Sequence, residues 1–118
     1  MARRFHDQVV LITGSSSGIG RAAAFAFSRE GAKVVLASRD KKANLQVVDK
    51  IRSENGEAIF IKTDITKSEE VKALIDQTLY YFGTIDIAIN SAGAEGTPGV
   101  KTADFDEQIW DEMLAVNL

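Results

Sequence analysis

Thr13-Gly14-Ser15-Ser16-Ser17-Gly18-Ile19-Gly20 follows directly on the apolar run Val9-Val10-Leu11-Ile12. A glycine-rich turn between a buried strand and a helix restricts both the local path of the chain and what can approach it. Gly14 lets the chain turn sharply out of the strand. Gly18 carries no side chain, so a pyrophosphate could reach the backbone. Gly20 lets the new helix pack close to the sheet. The free N–H groups and the positive dipole end of that helix then face an anion. The hydroxyls of Ser15, Ser16 and Ser17 are donors for phosphate or ribose oxygens, and Ser17 also suits a helix cap. A tight turn with no ligand uses the same three glycines, so the residues downstream have to decide.

The chain has 118 residues, 45% of them hydrophobic and 26% charged, which is enough for one domain with its own core. The net charge of −3 excludes a nucleic-acid surface as the default, and Arg3-Arg4 and Lys41-Lys42 are too short to be binding tracts. With no cysteine there is no disulfide, thiolate metal site or thiol nucleophile. No His/Asp/Glu set has metal-ligand spacing, so no metal is expected. The basic start, Met1 to Asp7, lacks the apolar core of a signal peptide, and no apolar run reaches membrane-spanning length. These features set the expectation of a cytoplasmic protein.

Strand and helix signals alternate along the chain. Strands are expected at 9–12, 34–37, 58–61 and 85–89. Helices are expected at 19–30, 42–55 and 68–82, each followed by a glycine: Gly31, Gly56 and Gly83. The first helix has a small-residue face of Ala22, Ala23 and Ala26. The second has Leu45, Val48 and Ile51 at helical spacing. In the third, Ser68 is the expected N-cap, Glu69 and Glu70 favour the dipole, and Val71, Leu74, Ile75, Thr78, Leu79 and Phe82 line one face. Residues 91–101 hold Gly93, Gly96, Gly99 and the only proline, Pro98, and read as a loop. Residues 106–118 read as the start of a further helix. Short, mostly apolar strands separated by helices predict an α/β fold, a doubly wound parallel sheet with order 3-2-1-4 and right-handed crossovers. The switch point falls between the first and fourth strands, where ligands bind beyond the strand C-termini.

These motifs together resemble the classical short-chain dehydrogenase/reductase family, with its Rossmann-like fold. Thr13-Gly14-x-x-x-Gly18-Ile19-Gly20 is similar to the family's coenzyme loop. Asp64-Ile65 resembles its adenine-contact motif, and Gly83-x-x-Asp86 with Asn90-Ser91-Ala92-Gly93 its fourth-strand motif, serine standing where a second asparagine is usual. Val116-Asn117-Leu118 resembles the start of its active-site asparagine motif. The resemblance implies a cofactor pocket shaped by Asn90, Ala92 and Gly93 and a catalytic role for Asn117, which in the family holds a water linking the catalytic lysine to solvent. The family's Tyr-x-x-x-Lys pair has no match here: Tyr80 is followed four residues on by Thr84, and Tyr81 by Ile85. By this analogy the sequence, 1–118, is a single dinucleotide-binding half-domain, truncated before the catalytic pair.

Ser38-Arg39 bears on cofactor choice. An NAD enzyme usually places a carboxylate on the adenosine ribose at the end of this strand. Here Ser38 takes that place and a guanidinium follows, whose fork suits a 2′-phosphate. NADP(H) is therefore expected over NAD(H), and a solvated surface arginine is the alternative. Asp64 is read either as an acceptor for the adenine amino group or as a cap for the loop before Ser68. Asp86 is expected inside the fourth strand in a structural role. His6, Glu57, Glu69 and Glu70 are read as solvated surface groups.

Two functions remain open from the sequence. One is an oxidoreductase acting on a small alcohol or carbonyl substrate, with this chain supplying cofactor binding. The other is a dinucleotide-binding half-domain without turnover. A methyltransferase on the same sheet fits the glycine motif and Arg39 less well. Without a fifth strand the outer edge of the fourth would lack partners, so homo-oligomerisation or self-association is expected.

Overall fold

The computed structural model describes residues 5–14 and 18–91. In chain order the elements are β1 (Val9–Thr13), α1 (Gly18–Arg29), β2 (Lys33–Ser38), α2 (Lys41–Ser53), β3 (Glu57–Lys62), α3 (Ser68–Phe82) and β4 (Ile87–Asn90). All pairings are parallel and the sheet order is β3-β2-β1-β4, as the alternation predicts.

The alternation of side chains along each strand divides the core into two layers. Val10, Ile12, Val34 and Leu36 face Ala24 of α1 and Val47, Val48 and Ile51 of α2. Val9, Leu11, Val35 and Ala37 face the opposite way, with Leu74 of α3 and Ile85. β1 and the inner residues of β2 are buried on both faces, which is why they read as unbroken apolar runs. Burying each such Val, Leu or Ile is worth about 1.5–3 kcal/mol of transfer free energy.

Two helices sit at a different rotation from the one their apolar spacing predicts. α1 buries Gly20, Ala24 and Ser28, whereas Ala22 and Ala26 are exposed and Ala23 is partly buried. Its phase is set by Gly20, which lies against the end of β1. α2 buries Asn44, Val47, Val48 and Ile51, and Leu45 is 39% exposed. Its phase is set at Asp40, which caps the helix by accepting from the Ala43 N–H at 3.0 Å, and at Asn44, which is tied to the end of β2.

The helix ends differ from the expectations as well. Gly31 and Gly83 follow α1 and α3 at positive φ. After α2, however, the left-handed residue is Asn55 (φ 67°) and not Gly56. Gly56 is required for another reason: a Cβ there would lie 2.6 Å from Ile51 Cγ2. Ser68 is not the N-cap of α3. Lys67 takes that position without a side-chain cap bond, and the Glu70 carboxylate accepts from the Asp64 N–H at 2.9 Å. Glu70 is therefore part of a loop tie and not merely a solvated charge.

The fourth strand is 87–90 and not 85–89, so Asp86 precedes it. Asp86 brackets the start of β1: its N–H donates to the Val9 carbonyl at 2.9 Å, and its Oδ2 accepts from the Val9 N–H at 2.8 Å. The carboxylate thus supplies an acceptor that the short β4 ladder does not. Asp86→Ala leaves the N–H of fully buried Val9 without that acceptor, so a loss of about 2 kcal/mol is expected in urea unfolding; Asp86→Asn, whose amide oxygen still accepts, is expected to lose less.

Candidate functional site

The C-terminal ends of the four strands bring the described site residues to one edge of the sheet. β1 runs out through Gly14, whose N–H donates to the Ala37 carbonyl at 2.9 Å and whose φ is 70°. Gly18 opens α1 at φ 59°, a conformation costly for any residue with a Cβ. Ile19 is 62% exposed at the helix start, and Gly20 is buried beneath it. A Cβ on Gly20 would overlap the Gly14 carbonyl oxygen and Ser91 Oγ and would lie 2.8 Å from the Gly14 carbonyl carbon. The absence of a side chain at Gly20 is what brings the N-terminus of α1 over the end of β1.

Ser91 and Thr13 hold this corner together. Ser91 Oγ donates to the Thr13 carbonyl and lies 3.1 Å from the Gly14 carbonyl, and the Ser91 N–H also donates to the Thr13 carbonyl at 3.1 Å. Thr13 Oγ1 donates to Asn90 Oδ1 at 2.8 Å. The serine that departs from the usual asparagine therefore locks β4 to the glycine turn. The sequence places Thr13 and Ser91 in the two motifs but gives neither a role of its own. Their burial, 0% and 2% exposed, shows them to be structural ties and not ordinary polar turn residues.

Ser38, Arg39, Asp64 and Ile65 lie at the ends of β2 and β3. The Thr63 N–H donates to the Ser38 carbonyl at 2.9 Å and joins the two loops. Ser38 Oγ accepts from the Asp40 N–H at 3.1 Å and from Asn44 Nδ2. Asn44, also unflagged by the sequence reading, carries a signal in hindsight: it is a polar residue in the row that continues with Val47, Val48 and Ile51. Arg39 is exposed. Ile65 packs against the α3-side core.

The structure shows the capping role of Asp64 directly. Its Oδ1 accepts from Thr66 Oγ1 at 2.6 Å and from the Thr66 N–H at 3.0 Å. These two bonds, with smaller contributions from the positive charges of Arg39 and Lys67, hold the Asp64 carboxyl below the usual carboxylate range. One oxygen is occupied in this way, and a carboxylate has further acceptor capacity on the other. Ser15, Ser16, Ser17, Ala92, Gly93 and Asn117 lie outside the described residues. Among the described residues no cluster of three His, Cys, Asp or Glu side chains is placed to hold a metal. No helix among them is long and apolar enough to cross a membrane.

The lowered Asp64 pKa predicts a pH dependence. A carboxyl with a folded-state pKa below its unfolded value contributes stability that is complete above the unfolded value, about pH 4, and is lost as pH falls through the folded one. Wild type is therefore expected to lose more stability than Asp64→Asn as pH falls below about 5. Parallel acid-denaturation curves for the two proteins measure this, and coincident curves would count against it.

The family profile of the short chain dehydrogenases matches residues 8–118. The uncharacterized oxidoreductase Lmo0432 of Listeria monocytogenes is 38% identical over 112 residues, covering 95% of this chain and 44% of that protein. The structure of a short-chain dehydrogenase/reductase from Burkholderia phymatum in complex with NAD superimposes with a TM-score of 0.70 at 38% identity, covering 71% of this chain and 30% of that one. The hydroxysteroid dehydrogenase of Escherichia coli does so with a TM-score of 0.72 at 35% identity, covering 75% and 37%. This chain thus spans less than half the length of these relatives. The parallel order β3-β2-β1-β4, the glycine turn at the end of β1 and the profile match across nearly the whole sequence together show that this chain belongs to the short-chain dehydrogenase/reductase family.

Proposed function

We propose that this chain is the NADP(H)-binding half of an oxidoreductase acting on an alcohol or carbonyl group. The observation that carries the reading is Ser38-Arg39 at the end of β2. A hydroxyl and a guanidinium stand where an NAD-selective site carries a carboxylate. The donor set fits a dinucleotide with an additional phosphate. The N-terminus of α1 is brought over the end of β1 by Gly14, Gly18 and Gly20, and its N–H groups suit a pyrophosphate. Arg39 suits the 2′-phosphate. In this reading the adenine is recognised by Asp64 and Ile65, the ribose by Asn90, Ala92 and Gly93, and the phosphates by Ser15, Ser16 and Ser17. Asn117 takes the family's catalytic asparagine role.

When bound, a nicotinamide supplies the hydride chemistry, and the residues of this chain bind and orient it. The Burkholderia phymatum relative was solved with NAD. The preference for NADP(H) rests on this chain's own Ser38 and Arg39. The lack of cysteine suits a reducing cytoplasm. The place of β4 at the end of the described sheet order suits self-association.

Loss of a charge-assisted phosphate contact costs about 1.5–3 kcal/mol, or about tenfold to a hundredfold in affinity. NADPH is therefore expected to bind at least about tenfold more tightly than NADH when both are titrated at one salt concentration. Arg39→Asp is expected to abolish the difference. Equal affinities in wild type, or a ratio unmoved by Arg39→Asp, would overturn the assignment.

The polypeptide Met1–Leu118 is expected to bind cofactor without turning over alcohols or carbonyls. No tyrosine of its sequence is followed four residues later by a lysine, so the family's proton donor and its partner are missing. Cofactor absorbance followed with a panel of secondary alcohols and ketones tests this. Turnover by a sample of the matching mass would instead mean that other residues supply the proton.

A further inference from the structure

Asn44 occupies a fully buried position on the core-facing side of α2, in the row that continues with Val47, Val48 and Ile51. An apolar side chain would satisfy packing there, and a buried amide is costly unless its polar atoms are paired. Its Nδ2 lies 2.6 Å from the Asp40 carbonyl oxygen and also touches Ser38 Oγ. The Asp40 carbonyl can only accept, so the amide atom facing it must be the nitrogen. The same nitrogen therefore donates to Ser38 Oγ. The Asp40 N–H donates to that oxygen as well, at 3.1 Å.

A serine hydroxyl has two lone pairs and one proton. With both lone pairs engaged, the remaining tetrahedral direction is the O–H, and among the described residues no acceptor takes it. Ser38 Oγ is thereby fixed as a donor. Its backbone is pinned too, by the Thr63 N–H on the Ser38 carbonyl. Phosphate oxygens are strong acceptors, so a hydroxyl committed to donating favours an anion beside Arg39.

We infer that Asn44 is a positioning residue for cofactor selectivity: it holds Ser38 Oγ as an acceptor and so commits the Ser38 proton to the 2′-phosphate. The inference rests on the reading of Ser38-Arg39 as a phosphate site. Without the amide, one lone pair of Ser38 Oγ is released and the hydroxyl proton loses its single orientation.

The test uses the 118-residue chain, with NADPH and NADH titrated by nucleotide fluorescence at fixed salt. Asn44→Leu fills the volume with an apolar group, and Asn44→Ala serves where that overpacks; thermal unfolding checks that each variant is folded. Both substitutions are expected to weaken NADPH about fivefold to tenfold and to leave NADH within about twofold. In a Ser38→Ala background, Asn44→Leu is expected to add nothing, because the hydroxyl it orients is gone. Equal weakening of both cofactors, no change in either, or effects of Ser38→Ala and Asn44→Leu that simply add would overturn the inference. Arg39→Ala separates the two levels. A cofactor ratio that responds to Arg39 but not to Asn44 removes this inference alone. A ratio that responds to neither removes the phosphate-site reading and this inference with it.

Discussion

The close approach of Gly20 to the end of β1 is the contact on which the arrangement of the site depends. The Gly14 carbonyl and Ser91 Oγ occupy the space where a Cβ would project, so α1 can begin directly above the sheet only if residue 20 has no side chain. That placement sets the phase of α1. Gly20, Ala24 and Ser28 turn inward, and Ala22 and Ala26 face solvent. It also brings Ser91 close enough to bind the Thr13 carbonyl, which ties β4 to the same turn. Helix start, strand end and switch point are one packed unit.

Polar ties complete what the apolar layers leave undetermined. The two hydrophobic layers specify which face each strand turns to which helix, but packing alone is tolerant of small shifts along the strand axis. Directional bonds remove that tolerance. At the lower end of the sheet, Asp86 pairs with both backbone polar groups of Val9. At the upper end, Thr13 meets Asn90, and Asn44 meets Ser38. The exposed ion pairs between Arg29 or Lys50 and Glu54 add little by comparison, because water screens them. These ties act at the strand ends, where the glycine turn, Ser38-Arg39 and Asp64 also lie.

Several features were legible along the chain because their physical causes are local. Glycine at a sharp strand-to-helix turn, apolar strands buried on both faces and a left-handed glycine after α3 follow from backbone sterics and from the period of the side chains. Parallel order 3-2-1-4 follows from their alternation and from the glycine motif's place in the first βα turn. The polar pair Ser38-Arg39 was legible at the end of β2 as well, because a strand end is marked locally by the change from apolar to polar side chains.

What the linear pattern left out depends on contacts between residues far apart in sequence. The spacing of Leu45, Val48 and Ile51 is as helical as that of Asn44, Val47, Val48 and Ile51; the ties of Asn44 to Ser38 and Asp40 select the second rotation. Asp86 reads as a strand residue until Val9, 77 positions away, takes its carboxylate and moves the strand start to Ile87. Ser91 reads as a departure from a motif until its hydroxyl meets Thr13 and Gly14. The sequence by itself determined the class of fold and the types of side chain that stand at the strand ends, because periodicity and residue type are properties of short stretches. Only the tertiary structure decided helix rotation, strand boundaries and which polar side chains act as ties, because a buried hydrogen bond needs both partners in place before either has a role.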